Sequence, residues 1–123
     1  MRIQSLAVLA GLFLAAAAQA QDAAVSEGRK AFRVCGVCHT DVKGRNGFAP
    51  SLYGVVGRRA GSLPDYRYSD AMRASGIVWD EAALDAFIAA PRDTVPGTRM
   101  PYPGMKDPAR RAAIIAYLKS LKD

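Results

Sequence analysis

Histidine and cysteine are scarce in this chain of 123 residues, which contains one histidine and two cysteines. A structural zinc site takes four ligands, usually from two Cys-x-x-Cys or His pairs, so these three residues fall short of one. Long apolar runs are also missing, because the longest, residues 6–18, is shorter than the roughly 20 residues that cross a bilayer. The composition excludes collagen-like, disordered and multi-pass membrane proteins, and the length predicts one folded domain.

The charge is basic but has no long run of one sign. Lysine and arginine total 17 against 11 acidic residues, for a net charge of +6. Nucleic-acid binding is therefore not predicted, because it needs a concentrated basic patch. Stable membrane insertion is not predicted either, and surface binding would need an amphipathic basic helix that the sequence does not clearly contain.

The first twenty residues have the features of a secretory signal peptide. Fifteen of them are apolar, Arg2 carries the only charge, and Ala18-Gln19-Ala20 forms a small-residue cleavage motif. We predict cleavage after Ala20, which divides the chain into a signal peptide, residues 1–20, and one domain, residues 21–123. The predicted location is the periplasm, and an uncleaved membrane anchor is the alternative.

Four helical stretches are predicted after this leader. The first runs from about Ser26 into the cysteines, and a short second one spans residues 68–74. The third follows Trp79 and stops at Pro91, because proline breaks a helix. The last begins at Asp107, a favourable N-cap that precedes a proline.

The middle of the chain is predicted to be irregular. Residues 44–64 contain five glycines and two prolines, and nothing there alternates like a strand. A small domain with long loops buries a small fraction of its surface. We therefore expect an additional group to organise this region.

Both cysteines and the only histidine lie within five residues, in the order Cys35-Gly36-Val37-Cys38-His39. This pattern is the attachment motif of a c-type haem. Its two thiols are one helical turn apart and can bond to one edge of a porphyrin, while the adjacent imidazole lies under the iron. A secretory leader agrees with this interpretation, because such attachment takes place outside the bacterial cytoplasm.

Two other interpretations of the cysteines remain open at this point. A disulfide between Cys35 and Cys38 suits an oxidising compartment, but it closes too small a loop to stabilise the chain much. A thiol oxidoreductase also uses Cys-x-x-Cys, but it needs the strand and helix alternation of a thioredoxin-like domain. The sequence shows no such alternation.

If haem is attached, the iron needs a sixth ligand, and a second histidine is not available. Three methionines follow the leader: Met72, Met100 and Met105. Met72 lies in a predicted helix, where methionine usually belongs to the core, and Met105 lies at the foot of the last helix. Met100 lies in a loop rich in proline, 61 residues after His39, and can reach the opposite haem face. We predict His39 and Met100 as the two iron ligands.

A filled sixth position leaves little room for oxygen or substrate at the iron. A thioether also favours ferrous iron, so ligation by histidine and methionine raises the reduction potential. The predicted activity is therefore electron transfer and not enzymatic catalysis.

Several motifs beyond the haem motif occur in one order, and with them the chain resembles a class I cytochrome c of the mitochondrial and bacterial cytochrome c2 type. The resemblance covers residues 27–121 and rests on CGVCHT (35–40), FAPSLYGVVGR (48–58), YRYSDAM (66–72), GIVW (76–79), PGTRM (96–100) and IAYL (115–118). It implies an all-α fold, with three to five helices and long loops wrapped round one covalently bound haem.

The resemblance also implies roles for residues around the haem. The Pro50 carbonyl is expected to accept a hydrogen bond from His39 Nδ1, which keeps the imidazole a strong ligand. A buried propionate needs donors, and those implied are Arg58, Tyr68 and Trp79, with Thr98 as a further partner. The alternative for Trp79 and Thr98 is ordinary packing. Helix docking is implied as well, with Gly28 and Phe32 crossing Ile114 and Tyr117.

Three positions depart from the family pattern. Phe87 stands where a tyrosine is frequent near the axial sulfur, and Met72 stands where many members have asparagine, so the tuning of the iron should differ. The loop that carries Met100 contains no lysine, although lysines there often displace the methionine at high pH. We predict that this replacement is delayed or uses Lys106.

The resemblance implies redox proteins as partners. It places Arg92, Arg99 and Lys106 round the exposed haem edge, with Lys43 nearby, and such a ring attracts acidic patches. A quinol–cytochrome c reductase, a terminal oxidase, a photosynthetic reaction centre or a dehydrogenase would qualify. The predicted function is that of a soluble, monomeric monohaem carrier of single electrons, and the alternative is a cytochrome subunit of a dedicated periplasmic dehydrogenase.

Overall fold

The structure is a computed structural model that describes residues 3–123. Its elements are α1 (Ile3–Ala31), a 3₁₀ turn (Phe32–Val34), α2 (Asp70–Ala74), α3 (Glu81–Ala89), α4 (Pro91–Thr94) and α5 (Pro108–Ser120). In this part of the chain the only extended pairing is one antiparallel bridge between Arg59 and Val78. The prediction of an all-α fold with three to five helices and long loops is confirmed.

The first helix begins earlier than the sequence predicts. Ser26 lies inside α1, which runs without a break from Ile3–Ala31, so Ser26 is not its N-cap. The leader is rich in alanine and leucine and contains no proline, so nothing interrupts helical hydrogen bonding between the leader and the domain. Side chains 9–23 are all exposed and add nothing to the core. Among the described residues, no helix has both the length and the apolar character needed to cross a membrane.

The helix boundaries in the second half of the domain follow local signals. Helix α2 begins two residues later than predicted, because the Ser69 side chain caps it by accepting the Met72 N–H at 3.1 Å. Pro91 ends α3 as predicted and then opens α4, since a proline at the first helical position loses no hydrogen bond. Asp107 caps α5 as predicted and accepts two N–H groups of its first turn.

Helices α1 and α5 cross at Gly28, as the resemblance implies. A Cβ on Gly28 would lie 1.9 Å from the carbonyl oxygen of Ala113 and 2.7 Å from the Cβ of Tyr117, so only glycine permits this approach. One turn later the rings of Phe32 and Tyr117 meet edge to face at 5.3 Å. Ile114, also in α5, is almost completely buried.

The hydrophobic core is small and lies mainly beneath α3 and α5. Its larger members are Phe32, Trp79, Leu84, Phe87, Ile88, Ile114, Ile115, Tyr117 and Leu118. The ring centroids of Trp79 and Phe87 lie 5.0 Å apart. The long loop between residues 35 and 69 is held to this core by backbone bonds, such as Gly57 N–H to the Trp79 carbonyl at 2.8 Å and Ala60 N–H to the Ile77 carbonyl at 2.8 Å. The loop therefore has a definite course although it contains no helix.

Candidate functional site

The cysteine motif continues the helical path that α1 begins. The N–H of Cys38 donates to the Cys35 carbonyl at 3.1 Å, and the N–H of His39 donates to the same carbonyl at 2.9 Å. These bonds place the two cysteines one turn apart, as a bond to one edge of a porphyrin requires. The two sulfur atoms are not joined in a disulfide. Cys35 is half-buried and Cys38 is exposed, and burial raises the pKa of the Cys35 thiol.

The imidazole of His39 is held by a contact with the loop that follows it in sequence. Its Nδ1 lies 2.7 Å from the carbonyl oxygen of Pro50, the contact that the resemblance implies. A carbonyl only accepts, so Nδ1 carries the proton and the lone pair of Nε2 is free for a metal. Burial lowers the pKa of His39, and nearby Arg58 lowers it further, while the Pro50 carbonyl raises it. The lowered pKa favours the neutral imidazole that ligation requires.

The loop that carries Pro50 is fixed by the guanidinium of Arg58. Arg58 donates to the carbonyls of Ser51 at 2.9 Å and Tyr53 at 3.1 Å, so one side chain closes the turn after Pro50. Burial lowers the pKa of Arg58, but a guanidinium remains protonated at physiological pH. A fixed positive charge therefore lies close to His39.

Tyr68 and Trp79 both lie close to Arg58. The backbone N–H of Trp79 donates to the Arg58 carbonyl at 2.9 Å, and the Arg58 charge lowers the pKa of Tyr68 against a larger increase caused by burial. The Tyr68 hydroxyl accepts the Leu63 N–H at 3.4 Å. Neither the Tyr68 hydroxyl proton nor the Trp79 indole N–H has a hydrogen-bond acceptor among the described residues.

Met100 lies in a loop that is packed against α2. Gly97 has a φ of +88°, and a Cβ there would approach the Ala71 Cβ to 3.1 Å. The Met100 N–H donates to Thr98 Oγ1 at 3.3 Å, and Arg99 Nη2 donates to the Arg67 carbonyl at 2.5 Å. These contacts hold Met100 half-buried at the edge of the core. The Thr98 hydroxyl thus positions the backbone of Met100.

The other two methionines have packing positions. Met105 is buried, and its N–H donates to the Ile88 carbonyl at 2.9 Å, so its side chain belongs to the core between α3 and α5. Met72 lies half-buried in α2 and packs on the same core. Phe87, the other departure from the family pattern, is buried against Trp79.

The four basic residues expected at the haem edge differ in their contacts. Arg92 and Arg99 are exposed, and Lys106 Nζ lies 3.3 Å from the Ala89 carbonyl at the end of α3. Lys43 is ion-paired with Asp123 and lies over the Tyr53 ring, so an opposite charge lies beside it. Lys43 therefore adds less positive potential to this surface than its sequence position suggests.

Two clusters of polar side chains near the cysteine motif could not be predicted from the sequence. Ser51 is buried, its hydroxyl donates to the Val42 carbonyl at 2.7 Å, and its N–H donates to Asn46 Oδ1 at 2.9 Å. The Tyr117 hydroxyl donates to the carboxylate of Asp41, 76 residues away in sequence. Both clusters stabilise the loop after His39, and the spacing of residues in the sequence predicts neither of them.

The donor groups at this site fit a c-type haem. Two thiols one turn apart, an imidazole with a free Nε2 and a thioether are the groups by which a c-type haem is attached and its iron ligated. Arg58 and the unpaired donors of Tyr68 and Trp79 offer partners for an anionic carboxylate. Among the described residues, no group of three or more His, Cys, Asp or Glu side chains could hold a metal ion by itself.

Comparison with known proteins finds chains of similar sequence and similar fold. The cytochrome c family model matches residues 25–122. Cytochrome c2 from Rhodopila globiformis is 56% identical over 97 residues, which cover 78% of this chain and 92% of that protein. Cytochrome c from Euglena viridis is 45% identical over 97 residues, with 78% and 95% covered. The solved structure of cytochrome cH from Methylobacterium extorquens matches with a TM-score of 0.74 at 45% identity, covering 78% of this chain and 97% of that one.

Proposed function

Because the chain belongs to the cytochrome c family, we propose which of its residues hold the haem and in which compartment the protein works. It is a monohaem electron carrier of the cytochrome c2 type, with covalent haem c. Electron carriage by this family is not enzymatic catalysis. When bound, haem c supplies an iron that gains or loses one electron at a time.

Cys35 and Cys38 are proposed to attach the haem, with His39 and Met100 as the iron ligands. The observation that carries this assignment is the 2.7 Å contact between His39 Nδ1 and the Pro50 carbonyl. It leaves Nε2 free, and it increases the basicity of the imidazole. The loop that carries Met100 is fixed to α2 and to Arg67. Because this holds its half-buried thioether in place, Met100 is favoured as the second iron ligand.

Arg58, Tyr68 and Trp79 are proposed to bind a haem propionate, with Thr98 as a further partner. Arg58 brings a positive charge that already orders the Pro50 loop. Tyr68 and Trp79 bring donors that have no acceptor among the described residues. A carboxylate taken out of water requires such partners, because an unpaired buried charge is strongly unfavourable.

The leader is proposed to be a signal peptide that is cleaved after Ala20, which places the mature protein in the periplasm. Two observations support this proposal. Side chains 9–23 are all exposed, and the family match begins only at residue 25. Removal of residues 1–20 would therefore leave the crossing of α1 and α5 intact, since Gly28 and Phe32 lie beyond the cleavage site.

Redox proteins with acidic docking faces are proposed as partners, with Arg92, Arg99 and Lys106 as the attracting charges. All three are exposed. Such charges speed up association, and the rate then falls as salt screens them. Exchange of electrons with a purified quinol–cytochrome c reductase that slows with rising ionic strength would support this proposal.

The attachment proposal is tested by denaturing electrophoresis of the protein exported together with haem-maturation enzymes. Haem that stays with the band, and that is lost in the double variant Cys35→Ser, Cys38→Ser, supports it. The matched control is Ser75→Ala, which leaves both thiols in place. Haem that is lost from the unmodified chain on denaturation would overturn the assignment.

A further inference from the structure

Phe48 is the most exposed large hydrophobic side chain among those that the structure describes, at 91%. A monomeric surface usually carries single exposed apolar residues, so exposure alone does not indicate a role. Its location does, because the backbone of the Phe48 segment pairs with the cysteine motif. The N–H of Ala49 donates to the Cys38 carbonyl at 3.0 Å.

The position of Phe48 is fixed by its backbone. A Cβ on Gly47 would lie 2.7 Å from the Cys38 carbonyl oxygen, so the two segments are in direct contact there. The Phe48 carbonyl accepts the Tyr66 hydroxyl at 3.2 Å, and the Gly47 N–H donates to the Ala49 carbonyl at 3.0 Å. The backbone that carries the ring is therefore fixed by hydrogen bonds, and the exposure of the ring does not result from a loose loop.

A second exposed apolar side chain belongs to the cysteine motif with which the Phe48 segment pairs. Val37, between the two cysteines, is 74% exposed, and Cys38 itself is exposed. These three residues, Val37, Cys38 and Phe48, are called the Phe48 patch. Since Cys38 is proposed to bear the haem, the patch would lie next to the point where the haem is attached.

The charged residues that are connected to the Phe48 segment by sequence or by hydrogen bonds are mostly positive. Arg45 lies three residues before Phe48, with its carbonyl bound to the Thr40 hydroxyl, and Arg67 follows the tyrosine that binds the Phe48 carbonyl. Arg99 reaches the Arg67 carbonyl at 2.5 Å. Asp65, whose carbonyl accepts from Asn46 at 3.3 Å, is the acidic residue in the same stretch. An apolar centre with a cationic surround matches a partner face with the opposite charge.

We propose that Phe48 is an aromatic anchor that inserts into an apolar depression, bordered by carboxylates, on the docking face of a redox partner protein. This inference rests on the proposed function and adds to it the residue that sets the affinity once the charges have brought the partners together. Aromatic side chains at the centre of an interface contribute more to binding than charges at its rim. The arginines set the salt-dependent rate of encounter, and Phe48 sets the part that salt does not screen.

The test compares haem-loaded full chains in electron transfer with a purified quinol–cytochrome c reductase and with a purified cytochrome c oxidase, over a range of ionic strength. The variants are Phe48→Ser, Phe48→Leu and the control Val78→Ser. Val78 is also an exposed apolar residue, at 52%, but it lies in the bridge with Arg59. At high ionic strength Phe48→Ser should reduce the second-order rate constant with at least one partner by about tenfold, as expected if the ring is partly buried on docking. Phe48→Leu should restore most of that loss, and Val78→Ser should leave the rate within about twofold of the unmodified protein.

Two results would overturn the inference and leave the proposed function intact. One is an unmodified rate for Phe48→Ser with both partners at high ionic strength. The other is a change in the haem spectrum or reduction potential of Phe48→Ser, which would show that the ring covers the haem and does not dock. Failure of the unmodified, haem-loaded protein to exchange electrons with either partner would instead contradict the proposed function.

Discussion

Replacing Gly28 by alanine should separate the first and last helices of the domain. The added Cβ would lie 1.9 Å from the Ala113 carbonyl oxygen, 2.7 Å from its carbonyl carbon and 2.7 Å from the Tyr117 Cβ. Two of these atoms belong to the backbone of α5, so no rotation of a flexible side chain can relieve the contact. The helices must move apart, and the edge-to-face contact of Phe32 with Tyr117 must loosen.

The expected size of the effect follows from two opposing terms. Overpacking a close contact costs roughly 1–3 kcal/mol, and a clash with backbone belongs at the upper end of that range. Alanine in place of glycine inside a helix gains about 0.5–1 kcal/mol. The net destabilisation should be about 2 kcal/mol, which lowers the melting temperature of a domain of this size by roughly 8–16 °C.

Thermal unfolding of the haem-loaded protein, followed by far-ultraviolet circular dichroism, measures this shift. Gly36→Ala is the matched control, because a Cβ there would have its nearest contact at 3.6 Å, an ordinary van der Waals distance. The control should melt within about 2 °C of the unmodified protein. A Gly28→Ala variant that melts no lower than the control would refute the argument that the crossing depends on a missing side chain.

Three further predictions concern charge and protonation. Arg58→Met should lower the free energy of unfolding by about 2 kcal/mol in denaturant titrations, because two backbone carbonyls lose a charged donor; an unchanged midpoint would refute that role. Burial and Asp41 raise the pKa of Tyr117. Its hydroxyl therefore contributes fully to the free energy of unfolding below the ordinary pKa of a phenol, and this contribution is lost as the pH rises through the pKa of the folded state. Alkaline unfolding should therefore be less steep in Tyr117→Phe, and equal pH profiles would contradict this. Lys106→Ala should delay or abolish any replacement of the Met100 ligand at high pH, followed spectroscopically; a ligand change at mildly alkaline pH that this variant leaves unaltered would count against the prediction.

The parts of the fold that could be predicted are those with local signals. Asp107 before a proline indicates where α5 begins, and Pro91 indicates where α3 ends, since both act on the backbone of their own turn. The glycine at position 28 is informative only together with its partner helix, which the family resemblance supplied. The start of α1 was predicted wrongly, because the leader and the domain share helical propensity and no proline separates them.

Contacts between residues distant in sequence could be predicted only where the family resemblance supplied them, as it did for Gly28 and for His39 with Pro50. The ion pair of Lys43 with Asp123 joins residues 80 apart, and it changes the contribution of Lys43 to the surface potential. The brace from Arg58 to the Ser51 and Tyr53 carbonyls is more local, but it depends on the positions of backbone oxygens, which residue types do not reveal. The types of chemical group at the site could thus be predicted from the sequence, whereas the contacts that the resemblance did not imply required the folded chain.

The most direct test of the ligand assignment is the optical spectrum of the oxidised, haem-loaded protein, compared with that of Met100→Ala. Sulfur on ferric iron produces a weak far-red band, which the unmodified protein should show. Met100→Ala should lose that band and should bind carbon monoxide when reduced, while Met72→Ala should keep the band, since Met72 packs in α2. An unmodified protein without the band that binds carbon monoxide readily would contradict the assignment, and so would a band that survives in Met100→Ala.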